Sequence, residues 1–173
     1  MIPGSNPLNP RQGEATKHAD YVIDTAKKLA DGKRAGVMAT VDEHGMPHLR
    51  WMATLSLQDW PILYTITSPA SRKIQHIGIN PSVSWMFCNE EMNIIINIYG
   101  KARIVTDFGK MQHVWKMLED KSKAYFLSIN SDGPGFAVIE TLIEDIDCIV
   151  PKYDIKFQAH GDDLGELPSR LDN

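Results

Sequence analysis

Thr67-Ser68-Pro69-Ala70-Ser71-Arg72-Lys73-Ile74-Gln75-His76-Ile77-Gly78-Ile79-Asn80-Pro81 is the stretch around which the chain is read. It follows a strand-like run, Ile62 to Ile66, turns through Ser68-Pro69-Ala70, and opens a short helix over 71–80. Ser71 is placed to cap that helix, because a serine hydroxyl accepts a bond from an orphan amide of the first turn. Arg72 and Lys73 then put two cations at the helix end where carboxylates are favoured. Ile74 stands three residues after the cap, so there is no capping box. Two readings stay open. One is a capped surface helix with solvated charges. The other is a bound anion held by free amides, the hydroxyls of Thr67 and Ser71, and the two cations.

The bulk properties narrow the class. A chain of 173 residues, 43% apolar and 23% charged, suits one soluble domain with a real core. A net charge of -4 argues against general nucleic-acid binding, which needs a basic face. Cys88 and Cys148 each sit in a hydrophobic run, which predicts buried free thiols in a reducing compartment and no zinc site or disulfide framework. No apolar signal core and no 18-residue apolar run is seen, so a cytoplasmic protein with no membrane contact is expected.

Outward from the opening stretch, the chain divides into three parts. Residues 1–34 are an arm (Met1 to Gly13, rich in proline) and an amphipathic helix, Glu14 to Asp31, ended by Gly32. Residues 35–157 carry the strands, and 158–173 form a polar tail. Strands are expected at Ala35–Val41, Pro47–Ser56, Ile62–Thr67, Ser82–Asn89, Met92–Thr106, Phe136–Val150 and Lys152–Phe157. Asp42-Glu43-His44-Gly45 has the composition of a hairpin turn. Gly100 inside a strand predicts a bulge or a barrel corner. A second peripheral helix is expected over Asp107 to Lys121. In the second strand, Leu49, Trp51, Ala53 and Leu55 read as the core face; His48, Arg50, Met52, Thr54 and Ser56 read as a ligand face. The fold class is therefore mainly β: six or seven antiparallel strands in a small closed barrel, with helices at the periphery.

In that order, the D-E-H-G turn, the R-W-M-A-T-L strand, T-S-P-A-S-R-K, I-N-P-S-V-S-W-M-F and Y-G-K-A-R-I-V resemble the pyridoxamine 5'-phosphate oxidase-like FMN-binding split barrels. The resemblance covers about Ala35 to Val105 and points to the general stress protein and flavin reductase-like branch. It implies a homodimer with FMN at its interface. By position, Arg50 would contact the FMN phosphate, and Arg50, Trp51, Met52, Ala53, Thr54 and Leu55 would run along the flavin. Ile66 and Thr67 would be the next contacting pair, with Ser71, Arg72 and Lys73 completing the phosphate site. In the biosynthetic oxidases a glutamine touches the flavin where this chain has Ile95, flanked by Asn93 and Asn97. Their tryptophan-rich, substrate-binding C-terminal motif has no counterpart here; Ser169-Arg170-Leu171 is a superficial echo.

The expected function is an FMN-dependent oxidoreductase acting on a small molecule, with electrons from a nicotinamide or a reduced flavin. The alternatives are a non-enzymatic FMN carrier or stress protein, and a split barrel that uses deazaflavin; haem is weaker, since His48, His76 and His160 form no cluster. No catalytic triad, carboxylate pair or metal-binding spacing stands out, and flavin chemistry needs none of these. Trp85 and Trp115 read as packing residues, Cys88 as a small hydrophobe, His48 as a surface or satisfied side chain, and His76 as exposed.

Overall fold

The computed structural model describes residues 12–31, 35–55, 58–118 and 135–165. The arm expected before Gln12, Gly32, Ser56, the helix end at 119–121, the loop at 131–134 and the tail beyond 165 lie outside the described residues. The elements are α1 (Gln12–Leu29), β1 (Ala35–Val41), β2 (Pro47–Ala53), β3 (Ile62–Thr67), α2 (Arg72–Ile79), β4 (Ser82–Cys88), β5 (Ile95–Ile104), α3 (Phe108–Met117), β6 (Ala137–Val150) and β7 (Ile155–His160). Among the described residues, no helix is long and apolar enough to cross a membrane.

All seven strands form one antiparallel sheet in the order β2-β1-β4-β5-β6-β3, with β7 also on β6. β6 is its spine. One edge pairs with β5 throughout; the other carries β3 against Ala137–Leu142 and β7 against Asp145–Val150. The split barrel implied by the resemblance is borne out, while the closure read from the strand pattern alone is corrected, because no ladder joins β2 to β3. Beyond the end of β2, the Leu55 amide donates to the Tyr64 carbonyl at 2.9 Å, and the Thr65 hydroxyl donates to the Ala53 carbonyl at 2.6 Å. The barrel stays split at that seam.

The interior has two parts. α1 presents Ala19, Val22, Ile23 and Ala26, the spacing of one helical face, to a core built with Met38, Trp85, Phe87, Ile96, Ile98 and Ile146. α3 covers the other part with Val114, against Leu55, Ile62, Tyr64, Val105 and Val138. Trp85 is fully buried, and Trp115 stacks on Phe136, so both tryptophans pack as expected. Cys148 is buried, whereas Cys88 is only half-buried on the opposite face of the sheet.

Gly100 sits where the sequence asked for a bulge. The register between β5 and β6 shifts at Tyr99/Gly100, with Tyr99 opposite Asp145 and Gly100 opposite Ile143. A Cβ at Gly100 would overlap the Leu142 carbonyl oxygen, so the backbones approach too closely for any side chain.

The faces of β2 are the reverse of the expectation. Leu49 and Trp51 are 68% and 71% exposed and Ala53 is exposed too, while His48, Arg50 and Met52 are half-buried. Only Leu55, beyond the strand, joins the core. The pairing register is the reason. Arg50 lies opposite Met38, which is wholly buried, and His48 opposite Thr40, so this face points inward under α2. Outward, Leu49 and Trp51 continue a row through Ala39 and Val37 of β1 to Ser84 and Met86 of β4 and then Tyr99 and Asn97 of β5.

Candidate functional site

α2 starts as the sequence suggested, but its cap differs. Ser71 has the extended backbone of an N-cap residue, yet its hydroxyl makes no cap bond. That oxygen accepts instead from the Thr67 hydroxyl at 3.3 Å, and Thr67 in turn accepts from the Lys73 ammonium at 2.7 Å. The first turn of α2 holds no acidic residue. Its amides and the Ser71 oxygen thus border a patch set by Arg72 and Lys73.

β2 brings the third cation. The Arg50 guanidinium donates to the Thr40 hydroxyl at 2.8 Å and to the Met38 carbonyl at 3.3 Å. Burial pulls the Arg50 pKa below its ordinary value, and the charge of Arg72 adds to this. Lys73 is lowered in the same way, by burial first and then by Arg50. The three cations are therefore near enough to repel one another. Among the described residues, none of them is ion-paired with a carboxylate. Arg50 and Lys73 are half-buried and Arg72 is exposed beside them; half-buried cations without counter-charges are costly, and an anion would offset that cost.

Two histidines lie beneath. His76, expected to be exposed, is only 7% exposed on the inner face of α2. Its Nδ1 is 3.0 Å from the Thr40 hydroxyl, and its ring lies 4.8 Å from that of His48. Burial lowers the His76 pKa first; His48, Arg50 and Arg72 lower it further, and Asp42 opposes them. His48 itself is satisfied, with Nε2 at 2.8 Å from the Asp42 carboxylate. Asp42 also accepts from the His44 and Met46 amides at 2.9 Å, which fixes the turn after β1.

Of the residues suggested by the sequence, Arg50, Thr67, Ser71, Arg72 and Lys73 are brought together here. Met52 and Ile66 are half-buried on β2 and β3. Trp51 and Ala53 point to the opposite, open face. Thr54 is buried and donates to the Ala30 carbonyl at 2.9 Å. The Ala53 carbonyl and the Leu55 amide are spent on the seam to β3, so they are not free for a ligand. Thr40 and His76 were missed. The available signal was Thr40 as the polar residue aligned with buried Met38 on β1, and His76 one turn after Arg72.

The donor set suits a phosphate monoester: three cations, two hydroxyls and a helix start without a side-chain cap. Among the described residues, no group of His, Cys, Asp or Glu is arranged to hold a metal ion.

A split antiparallel sheet of this order is the fold shared with pyridoxamine 5'-phosphate oxidase-related structures. Residues 22–148 match the family model for pyridoxamine 5'-phosphate oxidase, and the chain belongs to that family. It is 33% identical over 104 residues to a pyridoxine/pyridoxamine 5'-phosphate oxidase of Escherichia coli O9:H4 (strain HS), a match that takes in 60% of this chain and 47% of that protein. The chain thus spans about half the length of the curated relatives it matches. The fold is shared with a protein related to general stress protein 26 from Clostridium acetobutylicum, with a TM-score of 0.70, 14% identity, and coverage of 84% of this chain and 99% of the other. It is shared also with a pyridoxamine 5'-phosphate oxidase-related, FMN binding protein from Nostoc punctiforme, with a TM-score of 0.59, 16% identity, and coverage of 88% and 91%. Other structures with this fold are described as a heme binding protein from Mycobacterium smegmatis and an F420 reductase.

Proposed function

We propose that the chain is an FMN-dependent oxidoreductase that works as a homodimer on a small-molecule substrate. The observation that carries this is the trio Arg50, Arg72 and Lys73, gathered at the start of α2 with no carboxylate partner among the described residues. In this reading the phosphate of FMN takes the place of the missing counter-charge. Thr67 and Ser71 supply hydroxyls to it, and the first amides of α2 complete its shell. Bound FMN would supply the hydride and electron chemistry, while the chain holds and orients it. Membership of the family, with an FMN binding protein among the structures that share the fold, supports FMN as that phosphorylated ligand.

The homodimer is supported by the open face. Leu49, Trp51, Met86 and Tyr99 are all exposed, at 68%, 71%, 41% and 41%, and the strand register puts them in two adjacent rows. Such a contiguous apolar surface suits a second copy of the chain.

The test is a titration of the purified protein with FMN, followed by quenching of flavin fluorescence. Saturable binding, with oxidation of a nicotinamide in the loaded protein, is the expected result. Binding without turnover of any donor would reduce the protein to a flavin carrier. Failure to bind FMN at all would reject the proposal.

A further inference from the structure

Thr40 is wholly buried, and its hydroxyl lies between two groups from different elements. Arg50 of β2 reaches it at 2.8 Å, and His76 of α2 at 3.0 Å. Guanidinium can only donate, so the Thr40 oxygen accepts from Arg50. The hydroxyl has one proton, and His76 Nδ1, 3.0 Å away, is placed to accept it. That arrangement needs a neutral imidazole whose proton is on Nε2. The surroundings keep it neutral: burial, His48 and Arg50 from β2, and Arg72 from its own helix outweigh Asp42 from the turn.

We propose that Thr40 and His76 are positioning residues that set the angle of Arg50 toward the phosphate, and thereby make the site choose phosphorylated over unphosphorylated flavin. The inference rests on the flavin reading above and deepens it. An arginine on an open-edged strand has several rotatable bonds. Here one guanidinium nitrogen is held by Thr40 and the Met38 carbonyl, which leaves the remaining N–H groups to face the ligand. His76 locks the Thr40 hydroxyl rotor so that its lone pair faces Arg50. The same helix that begins the phosphate site therefore also aims the cation that arrives from β2.

The test is the ratio of riboflavin to FMN dissociation constants in wild type, Thr40→Val, His76→Leu, His76→Asn and Arg50→Gln. Thr40→Val and His76→Leu are expected to shrink the ratio by roughly tenfold, the scale of one charge-assisted hydrogen bond. His76→Asn keeps an acceptor where Nδ1 stands and is expected to restore most of it. Thr40→Val combined with Arg50→Gln is expected to be no worse than Arg50→Gln alone, because both act through one guanidinium. An unchanged ratio in folded Thr40→Val, or losses that simply add, would overturn the inference while leaving FMN binding intact. If His76→Leu fails to fold, Thr40→Val and its double variant decide. A wild-type protein that refuses FMN overturns the flavin reading and this inference together.

Discussion

Lys73→Met separates the phosphate from the rest of the flavin. Methionine keeps much of the apolar stem and removes the cation together with its 2.7 Å bond to Thr67. A hydrogen bond to a charged group contributes about 1.5–3 kcal/mol. At about 1.4 kcal/mol per tenfold, the FMN dissociation constant should rise roughly 10- to 100-fold. Riboflavin carries no phosphate and should change by less than about threefold. The ligand-free protein faces two opposed effects. Losing the bond to Thr67 costs about 1.5 kcal/mol, the low end of the range for a charged group. Against that, burial and Arg50 hold the Lys73 pKa below its ordinary value, so its charged form disfavours the fold. That penalty is fully present below the folded-state pKa and disappears above the unfolded one, so at neutral pH the substitution removes it. The net change in unliganded stability should stay within about 1 kcal/mol. Fluorescence titrations with both flavins, and thermal melts without ligand, measure the two sides. Equal losses for FMN and riboflavin, or a collapse of the unliganded fold, would show that Lys73 supports the structure and not the phosphate.

Three further outcomes are expected. Gly100→Ala forces a methyl group into the Leu142 carbonyl and should destabilise the protein by about 3 kcal/mol or prevent folding, read from the urea midpoint. Asp42 is lowered from 3.8 to about 2, by the His48 bond first and the Met46 and His44 amides after it. Its contribution to stability is therefore present above pH 3.8 and lost as the pH falls toward 2; acid titration of Asp42→Asn should lack that component. Leu49→Glu with Trp51→Glu should leave a folded monomer by light scattering, since both side chains are exposed in the single chain; an intact dimer would place the interface elsewhere.

Local signals in the sequence reached much of this arrangement. The strand Ala35–Val41, the bulge at Gly100 and the pairing of two cations with a helix start are all properties of short segments. What stayed hidden depends on which neighbour each segment meets. Alternation in β2 separated two sets of side chains correctly, but period-two patterning does not say which set faces inward. Trp51 and Leu49 read as core because they are apolar, whereas Arg50 is inside because it pairs with Met38. His76 looked like a surface residue on an isolated helix. Its burial follows from α2 lying on β1, where Thr40 offers a partner. The open seam between β2 and β3 likewise depends on distant pairing, which strand propensity does not encode.

The position of β6 has a consequence for a chain emerging from the ribosome. β3 meets its ladder partner only across 70 to 80 residues, from Thr67–Ala137 to Ile62–Leu142. Five of its six residues end up buried. Until β6 is made, both edges of β3 lack a ladder partner: the Leu55–Tyr64 and Thr65–Ala53 bonds tie it at the seam, and α3 packs on its Ile62 and Tyr64 side chains. A nascent chain halted after α3 should therefore bind hydrophobic dye and self-associate, and one extended through Val150 should not. Equal dye binding by the two would mean that β3 finds shelter before its partner exists.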